Sequence, residues 1–574
     1  MKKLLSITAV ALYVATAYSQ SAIDAYRLSQ PDLKGTARYM SMAGAFGALG
    51  GDLSVISHNP GGIGVYRNSD LGFTVDLDLQ SAEATSKFGK YGIKQTKFLL
   101  NNIGVVWTLK LSNATCPNLN FGFTYNKNAS FNRRYKGTIG LTNSLSNYIA
   151  AVTTAGGYND SQLAGAGDDD PYNPSQGYGA PWLSILGYNS YLISPVNNNQ
   201  YIGQWGSNTK GLGMFDVQES GGIDSYNIAF GGNISNIVFW GMDFDITRMN
   251  YNINPIWGEN LDNAIVGDDN GQLSRMSAQW SLNNLYNCSG TGFNYKLGFI
   301  VKPIQELRLG FAFETPTWYN LTETFAADVA ALYGGTDKVN VSTNDGWPGY
   351  NNVNFRSPWK INASAAAVLF NKLILSAEYE WTQYKKMSFS TPSYWGNGGD
   401  YWDDDFYPDY PWDYPYPWDP FFSKSSNFDP YIARDSYYNT NRDIKEIYSN
   451  TNTLRVGAEF RIIPQLSIRA GYSHVSSPVN TKLEANAMVT TAGTIPNYRF
   501  DNTTNYITGG IGYKINQFYI DLAYVYKNMS AEYHAFSSFL QENADYANGV
   551  FVPSQTASLS LKNSQIILSA GFKF

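Results

Sequence analysis

Cysteine, histidine and long apolar runs are scarce in this chain of 574 residues. The two cysteines, Cys116 and Cys288, lie far apart, and two residues alone do not establish a disulfide. The three histidines, His58, His474 and His534, lack the spacing of a metal site. No phosphate-binding loop or Ser-His-Asp arrangement stands out, so the sequence indicates no enzyme, no cofactor and no metal.

Charge is also sparse. Charged residues make up 15% of the chain and the net charge is -6, which leaves no basic surface of the kind that binds nucleic acid. After the first twenty residues, no apolar run reaches the roughly 20 residues that a transmembrane helix needs. The first residues do have a pattern: Lys2 and Lys3 precede an apolar run that ends in small residues, which predicts a signal peptide over 1–19.

Short stretches that alternate apolar and polar side chains are abundant. In the last one, Ile566, Leu568, Ala570, Phe572 and Phe574 share one face, because successive side chains of a strand point to opposite sides. A strand with one apolar face suits a membrane barrel, and lipid forces such a sheet to close. Fourteen stretches show the pattern: 71–77, 103–109, 119–125, 226–230, 238–244, 293–299, 307–313, 361–369, 373–381, 454–460, 466–472, 507–513, 518–524 and 566–574.

The predicted fold is therefore all-β: a 14-stranded antiparallel transmembrane β-barrel over residues 69–574, in which 71–79 pair with 565–574. Short turns alternate with long outer loops, which include 133–220 and 391–445. A secreted all-β protein with many hairpins is the alternative.

A Gly- and Ala-rich segment, residues 20–68, precedes the first strand. Small residues permit close packing, and Asp52 or Ser54 is placed to cap a short helix that ends before Asn59-Pro60. Since a 14-stranded barrel encloses a wide interior, we expect this segment to lie inside it as a plug, or hatch. An arm in the periplasm, outside the lumen, is the alternative.

The order of residues in this segment resembles the FadL/TodX family of outer-membrane hydrophobic-compound transporters. The matching residues are Gly44 within an Ala-Gly-Ala step, Asp52, Asn59, Pro60, Gly61 and Gly62, with Gly61 at the position where the family usually has alanine. The resemblance implies a fourteen-stranded barrel with an N-terminal hatch in the outer membrane of a Gram-negative bacterium. It also implies a passive uptake channel for hydrophobic small molecules such as long-chain fatty acids or aromatics.

The interpretation as a channel also predicts the binding partners of the protein and the route by which its ligand leaves. We expect a monomer that contacts a hydrophobic small-molecule ligand and outer-membrane lipid. Exit can be lateral or through the plug; Asn126-Lys127-Asn128 interrupts the third alternating stretch, where a kink would make a side exit. The same resemblance includes barrels that act as secretion or assembly partners, so a surface protein that docks other proteins is the alternative function.

Candidate ligand-binding residues fall in two groups. The first has helical spacing in an outer loop and predicts apolar faces that capture ligand: Leu145, Tyr148, Ile149, Val152, Trp182, Leu183 and Leu186. The second contains inward-facing cations that would orient a charged head group: Arg308, Lys360 and Arg455. Alternatively, the inward-facing charged residues, acids and bases alike, pair with each other and with Arg38 or Asp52 of the plug region. The loop 394–422 is rich in aromatic, acidic and proline residues. The sequence leaves three alternatives for its role: stacking of ligand on its rings, Ca²⁺ binding by its aspartates, or no single role.

Overall fold

The computed structural model describes residues 20–30, 32–165, 170–172, 180–197, 199–268, 271–392, 437–484, 486–491, 493–541 and 550–574. The predicted signal peptide 1–19 and the loop 394–422 lie outside these residues. The strands are, in chain order, β1 (Asp70–Ser86), β2 (Gly89–Lys110), β3 (Asn118–Ser130), β4 (Arg133–Gly140), β5 (Ile193–Asn197), β6 (Gln200–Gly203), β7 (Lys210–Ile234), β8 (Val238–Gly267), β9 (Leu273–Val301), β10 (Leu307–Glu314), β11 (Trp318–Tyr333), β12 (Asp337–Ser342), β13 (Gly349–Arg356), β14 (Lys360–Leu369), β15 (Leu373–Thr382), β16 (Ser388–Ser390), β17 (Thr451–Ile463), β18 (Leu466–Val475), β19 (Tyr498–Ile515), β20 (Phe518–His534), β21 (Phe539–Gln541), β22 (Val550–Val552) and β23 (Thr556–Lys573).

Helices are few and short. They are α1 (Ala22–Arg27), α2 (Ala37–Ser41), α3 (Leu145–Gly156), α4 (Asp160–Ala164), α5 (Trp182–Asn189) and α6 (Tyr438–Ile447), with 3₁₀ turns at Leu53–Ser57, Pro60–Val65, Thr343–Gly346 and Tyr384–Lys386. Among the described residues, no helix is both long and apolar enough to cross a membrane.

The wall is a closed antiparallel barrel with fourteen strand positions. Four positions are built from two consecutive strands each: β3 with β4, β10 with β11, β13 with β14, and β15 with β16. Pro316 separates β10 from β11 and Pro358 separates β13 from β14, since proline has no N–H to donate to a ladder. The barrel closes between β1 and β23, where Leu71 pairs with Phe572 and Asp78 with Gln565. The predicted strand number and closing pair are confirmed.

The outer face of the barrel is an apolar belt. Phe73, Trp107, Phe123 and Leu568 are examples, each about 40–50% exposed. Polar and charged side chains at the alternate positions are buried on the inner face, as the parity of the sequence predicts. A closed barrel with this apolar belt is an outer-membrane protein of a Gram-negative bacterium.

The strands extend far beyond this belt. β8 and β9 have 30 and 29 residues, about three times the 9–11 that span a membrane. Residues 133–140 and 210–220, which we expected within one long outer loop, are strands instead. Above the belt, large buried side chains such as Tyr251, Trp257 and Tyr533 fill the barrel and form an apolar core.

Candidate functional site: the lumen and the β2–β3 seam

The N-terminal segment, residues 20–68, contacts inward-facing groups all around the wall. Its described residues are mostly buried. The polar contacts are Lys34 with Asp76 (2.7 Å), Ala37 N with Ser569 (2.7 Å), Arg38 with Glu459 (3.1 Å), Gly47 N with Glu378 (2.8 Å), Leu49 O with Arg308 (2.8 Å), Ile63 O with Asn120 (2.7 Å), Ser41 O with Thr508 (2.8 Å) and Asp32 with Lys527 (3.2 Å). These partners belong to strands on opposite sides of the barrel.

Short turns shape this segment. Asp52 caps the first 3₁₀ turn by accepting a hydrogen bond from Ser54 N (3.0 Å), and it also accepts one from Thr36 Oγ1 (2.8 Å). Gly44 has φ +78°, a left-handed conformation that glycine adopts without strain. Asp52 and Gly44, two of the residues on which the family resemblance depends, therefore have structural roles in these turns.

The Asn59-Pro60-Gly61-Gly62 step rests on the backbone of β9. Asn59 Oδ1 accepts from Gly61 N (3.0 Å), and its amide donates to Gly47 O (2.6 Å). A Cβ on Gly61 would lie 2.8 Å from Phe299 N, which is too close for any real side chain. This contact gives a physical reason for glycine where the family usually has alanine. Gly62 is packed against Val55 in the same way.

Glu378 is the central carboxylate of the lumen. It lies on β15, is fully buried, and accepts hydrogen bonds from Gly47 N and from Arg455 Nη1 (2.7 Å), while His58 Nε2 lies 2.7 Å away. Arg455 also donates to Glu380 (3.1 Å). His58, Glu378 and Glu380 bring three possible metal ligands within 4.8 Å of one another, but Arg455 already supplies these carboxylates with a positive partner.

We expect replacement of Glu378 to loosen the attachment of the N-terminal segment. In Glu378→Ala, buried Arg455 loses one carboxylate partner and Gly47 N loses its acceptor, a type of loss that costs about 3–5 kcal/mol. The free energy of unfolding should fall by that order in a urea titration. The matched control is Glu83→Ala on the exposed outer end of β1, where loss of the pair with Lys90 should cost less than about 1 kcal/mol. Equal effects of both variants would contradict the role given to Glu378.

The three cations predicted to meet a ligand have partners within the protein. Arg455 pairs with two glutamates, and Lys360 lies 3.3 Å from Glu314. Arg308 donates to Leu49 O. The structure therefore favours the alternative given above, in which lumenal charges pair with each other and with the N-terminal segment.

The predicted apolar helices form a roof over the barrel core. Leu145, Ile149 and Leu186 are fully buried, and Gly187 of α5 packs directly against Ile149 of α3. The ring of Trp182 lies 4.9 Å from that of Phe325. Tyr148, Val152 and Leu183 are partly buried against the same core. The structure brings both helices together, but their own side chains fill the groove expected between them.

The barrel wall is interrupted between β2 and β3. Their ladder runs from Lys110–Asn118 to Asn102–Asn126 and ends there, whereas β1 and β2 stay paired as far as Ser86–Gly89. We call the unpaired stretch, residues 97–101 of β2 and 127–131 of β3 and the loop that follows it, the β2–β3 seam. It lies level with Val75–Leu79 of β1, which is within the apolar belt.

A β-bulge on β3 lies at the interruption. On the other side of β3, Lys127 pairs with Asp224 and Ala129 with Ile223, so Asn128 is an extra residue. A bulge bends its strand. Beyond it, β4 lies behind the β1–β2 hairpin, where a Cβ on Gly137 would lie 3.1 Å from the Ala84 side chain. The interruption of alternation at residues 126–128 in the sequence corresponds to this bend.

A cavity of about 170 Å³ lies inside the seam. Its lining includes Asn126 to Ala129 on β3, His58 of the N-terminal segment, and Lys360 on β14. A second cavity, of about 260 Å³, lies between the N-terminal segment and β17–β20, with Arg469 and Tyr519 in its lining. Both linings are mainly polar, so these two cavities do not form an apolar path through the described part of the lumen. Cys116 and Cys288 are both free thiols.

Comparison with known proteins finds matches among solved structures only. No protein-family model matches the chain, and no curated protein matches it. It is similar to a FadL homologue from Pseudomonas aeruginosa (13% identity, 95% of this chain, 100% of that chain, TM-score 0.46). It is also similar to the toluene transporters TodX of Pseudomonas putida (11%, 95%, 100%, 0.45) and TbuX of Ralstonia pickettii (13%, 95%, 99%, 0.44).

Two of these solved structures, the FadL homologue and TodX, carry the names of the FadL/TodX family, which the N-terminal motif of this chain resembles. The fold itself rests on the strand register of this chain.

Proposed function

We propose that this protein is a passive outer-membrane channel for hydrophobic small molecules, which leave the barrel sideways through the β2–β3 seam. The observation that supports it is the end of the β2–β3 ladder inside the apolar belt, beside a lumenal cavity. Backbone N–H and C=O groups left unpaired in lipid cost several kcal/mol each. An interruption at this depth is stable only if it borders a water-filled cavity or protein, which is the arrangement a side exit needs.

The volume of the cavity inside the seam limits the size of the ligand. Its volume of about 170 Å³ is close to the roughly 150 Å³ of a protein cavity that holds benzene. It is well below the roughly 300 Å³ at which pockets for drug-sized ligands begin. We therefore propose a molecule of the size of one aromatic ring rather than a long-chain fatty acid. The polar lining also admits a ring with a hydroxyl or another hydrogen-bonding substituent.

The N-terminal segment acts in this proposal as the plug. Its contacts with both sides of the wall keep the periplasmic end filled, so a ligand that reaches the cavity meets the seam before it meets an open pore. The segment's position supports a lateral route over one through the plug. It also explains why Arg308, Lys360 and Arg455 need not bind ligand: they fasten the plug or neutralise lumenal acids.

Capture at the outer surface is proposed to occur at the α3–α5 roof. Because its apolar side chains are packed together, the two helices must separate to admit ligand. We expect Trp182→Asp with Leu186→Asp to lower uptake of labelled toluene by cells strongly, since two buried apolar contacts are replaced by charges. The control is Trp347→Asp at a side chain that is 73% exposed, which should leave uptake unchanged. Unchanged uptake in the double variant, with the barrel verified at the surface, would remove the roof from the proposed route.

One observation supports the alternative function, a barrel that docks other proteins. The core above the belt is filled by large side chains, and the two lumenal cavities are polar. A filled lumen suits a rigid support for outer loops better than a channel. Uptake of labelled toluene by proteoliposomes that contain only the purified barrel separates the two functions, because a docking protein would not raise uptake above that of empty liposomes.

A further inference from the structure

A patch of the outer barrel surface directly above the apolar belt has an unusual composition. On β8, β9, β11 and β13, the top rung of the belt is Ile246, Phe293, Trp318 and Arg356, joined by strand pairing. The next rung is Arg248, Thr291, Asn320 and Asn354. Two further rungs follow at two-residue steps, through Ser289 and Asn287 of β9. We call these three rungs the polar panel.

Ten of the twelve panel positions are Asn, Ser or Thr; the other two are Arg248 and Tyr350. None is acidic. Asparagine is disfavoured in strands, so its repeated use on one face is not explained by strand formation. Elsewhere above the belt, opposite charges on neighbouring strands pair with each other, as Lys90 does with Glu83 and Arg134 with Asp216. The panel has no such pair.

The amides hold one another in place across the strands. Asn320 donates to Asn354 (3.1 Å), Thr322 to Asn352 (2.8 Å) and Asn287 to Asn250 (3.4 Å). A primary amide has two N–H donors and a carbonyl with two lone pairs, so each keeps further hydrogen-bonding capacity toward the outside. The result is a fixed array of donors and acceptors, about 14 Å high and about 14 Å wide from strand and rung spacings.

Two arginines lie at the lower edge of this array. Arg356 lies in the top rung of the belt on β13 and Arg248 lies one rung higher on β8, and both are exposed. Neither guanidinium has a hydrogen bond or ion pair with another of the described residues. Both point outward at the depth where the apolar surface ends, which is the depth of lipid phosphates. Arginine binds phosphate through paired N–H groups.

We propose that the polar panel binds the head group of a phosphorylated glycolipid of the outer leaflet. This occupant is inferred from the continuity of the surface. The outward face of the same four strands contacts lipid acyl chains one rung below the panel. This occupant also follows from charge, because neither guanidinium has an ion pair among the described residues: Asp224, the register partner of Arg248 on β7, is paired with Lys127. Phosphate lies against Arg248 and Arg356, and sugar hydroxyls lie against the amides and hydroxyls above. A phospholipid without a saccharide would leave these upper rungs without a partner.

The test is native mass spectrometry of the full barrel in detergent with added diphosphoryl lipid A. Wild type should retain one lipid A molecule, and the variant Arg248→Ala with Arg356→Ala should bind it roughly thirtyfold more weakly, since each arginine near an anionic head group contributes about a factor of five. Asn320→Leu with Asn352→Leu should also weaken binding. Dephosphorylated lipid A should bind like the arginine variant.

The matched control is Lys136→Ala with Lys210→Ala, which removes two exposed cations on β4 and β7, outside the panel. It should bind lipid A as wild type does. Heat-modifiable electrophoretic mobility checks that every variant is folded. The proposal is wrong if wild type retains no lipid A, if the arginine variant binds it equally well, or if the control weakens binding as much. Equal retention of phosphatidylglycerol by wild type would show simple anion attraction and would also overturn it.

Discussion

Deletion of Asn128 should reduce uptake of a labelled monoaromatic compound to the level of cells that lack the barrel. Asn128 is the extra residue of the β3 bulge, between the pairs Lys127–Asp224 and Ala129–Ile223. Without it, we expect β3 to continue straight and pair with residues 97–100 of β2, beyond the extra residue Asn101 of that strand. The seam would close and the lumenal cavity would lose its lateral outlet.

The matched control is Asn128→Ser, which keeps the extra residue and changes only its side chain. It should transport as wild type does. Surface labelling and heat-modifiable mobility establish that both variants are folded in the outer membrane. If the deletion transports normally while its barrel is intact, the seam is not the route.

Removal of residues 21–66 should convert the closed barrel into an open pore. The segment contributes the polar partners of Asp76, Glu378 and Arg308 on three different strands. Barrels only slightly larger leave an aqueous channel when nothing fills them. Single-channel conductance in planar bilayers should therefore rise severalfold over the full-length protein.

The control for this deletion is the Glu378→Ala variant, which keeps the segment and removes one of its fastenings. We expect brief openings rather than a permanently open pore, since the other contacts of the segment remain. A conductance of the deletion that equals the wild-type value would contradict the role of the segment as a plug.

The membrane part of the barrel could be predicted because lipid imposes a simple rule on each strand. Every outward position must be apolar, so Leu454, Val456, Ala458 and Phe460 reveal both the strand and its register. The inward position of Glu459 follows from the same parity, and its burial confirms it. The closing pair of β1 and β23 follows from the even strand number.

The strands above the membrane could not be predicted by that rule. There the outward face of β8 changes from Ile246 to Arg248 and Asn250, so the apolar alternation stops although the strand continues. The inward face carries the remaining signal, with Met249, Tyr251 and Ile253 buried at alternate positions. An alternation that changes from the outward to the inward face marks a strand that leaves the membrane without ending.

The candidate site was only partly predictable for a related reason. Helical spacing correctly indicated α3 and α5, but spacing does not tell whether Ile149 and Leu186 face a ligand or each other. Parity likewise placed Arg455 in the lumen, whereas its partners Glu378 and Glu380 depend on the packing of β15 against β17. Contacts between distant parts of the chain decide these roles.

The most direct test of the channel proposal is photocrosslinking with a diazirine derivative of toluene, followed by peptide mapping of the labelled barrel. The account predicts label at the β2–β3 seam, on residues 97–101 and 126–129, and loss of that label when Asn128 is deleted. Label confined to the periplasmic cavity near Arg469 and Tyr519, or no specific label at all, would contradict lateral transport through the seam.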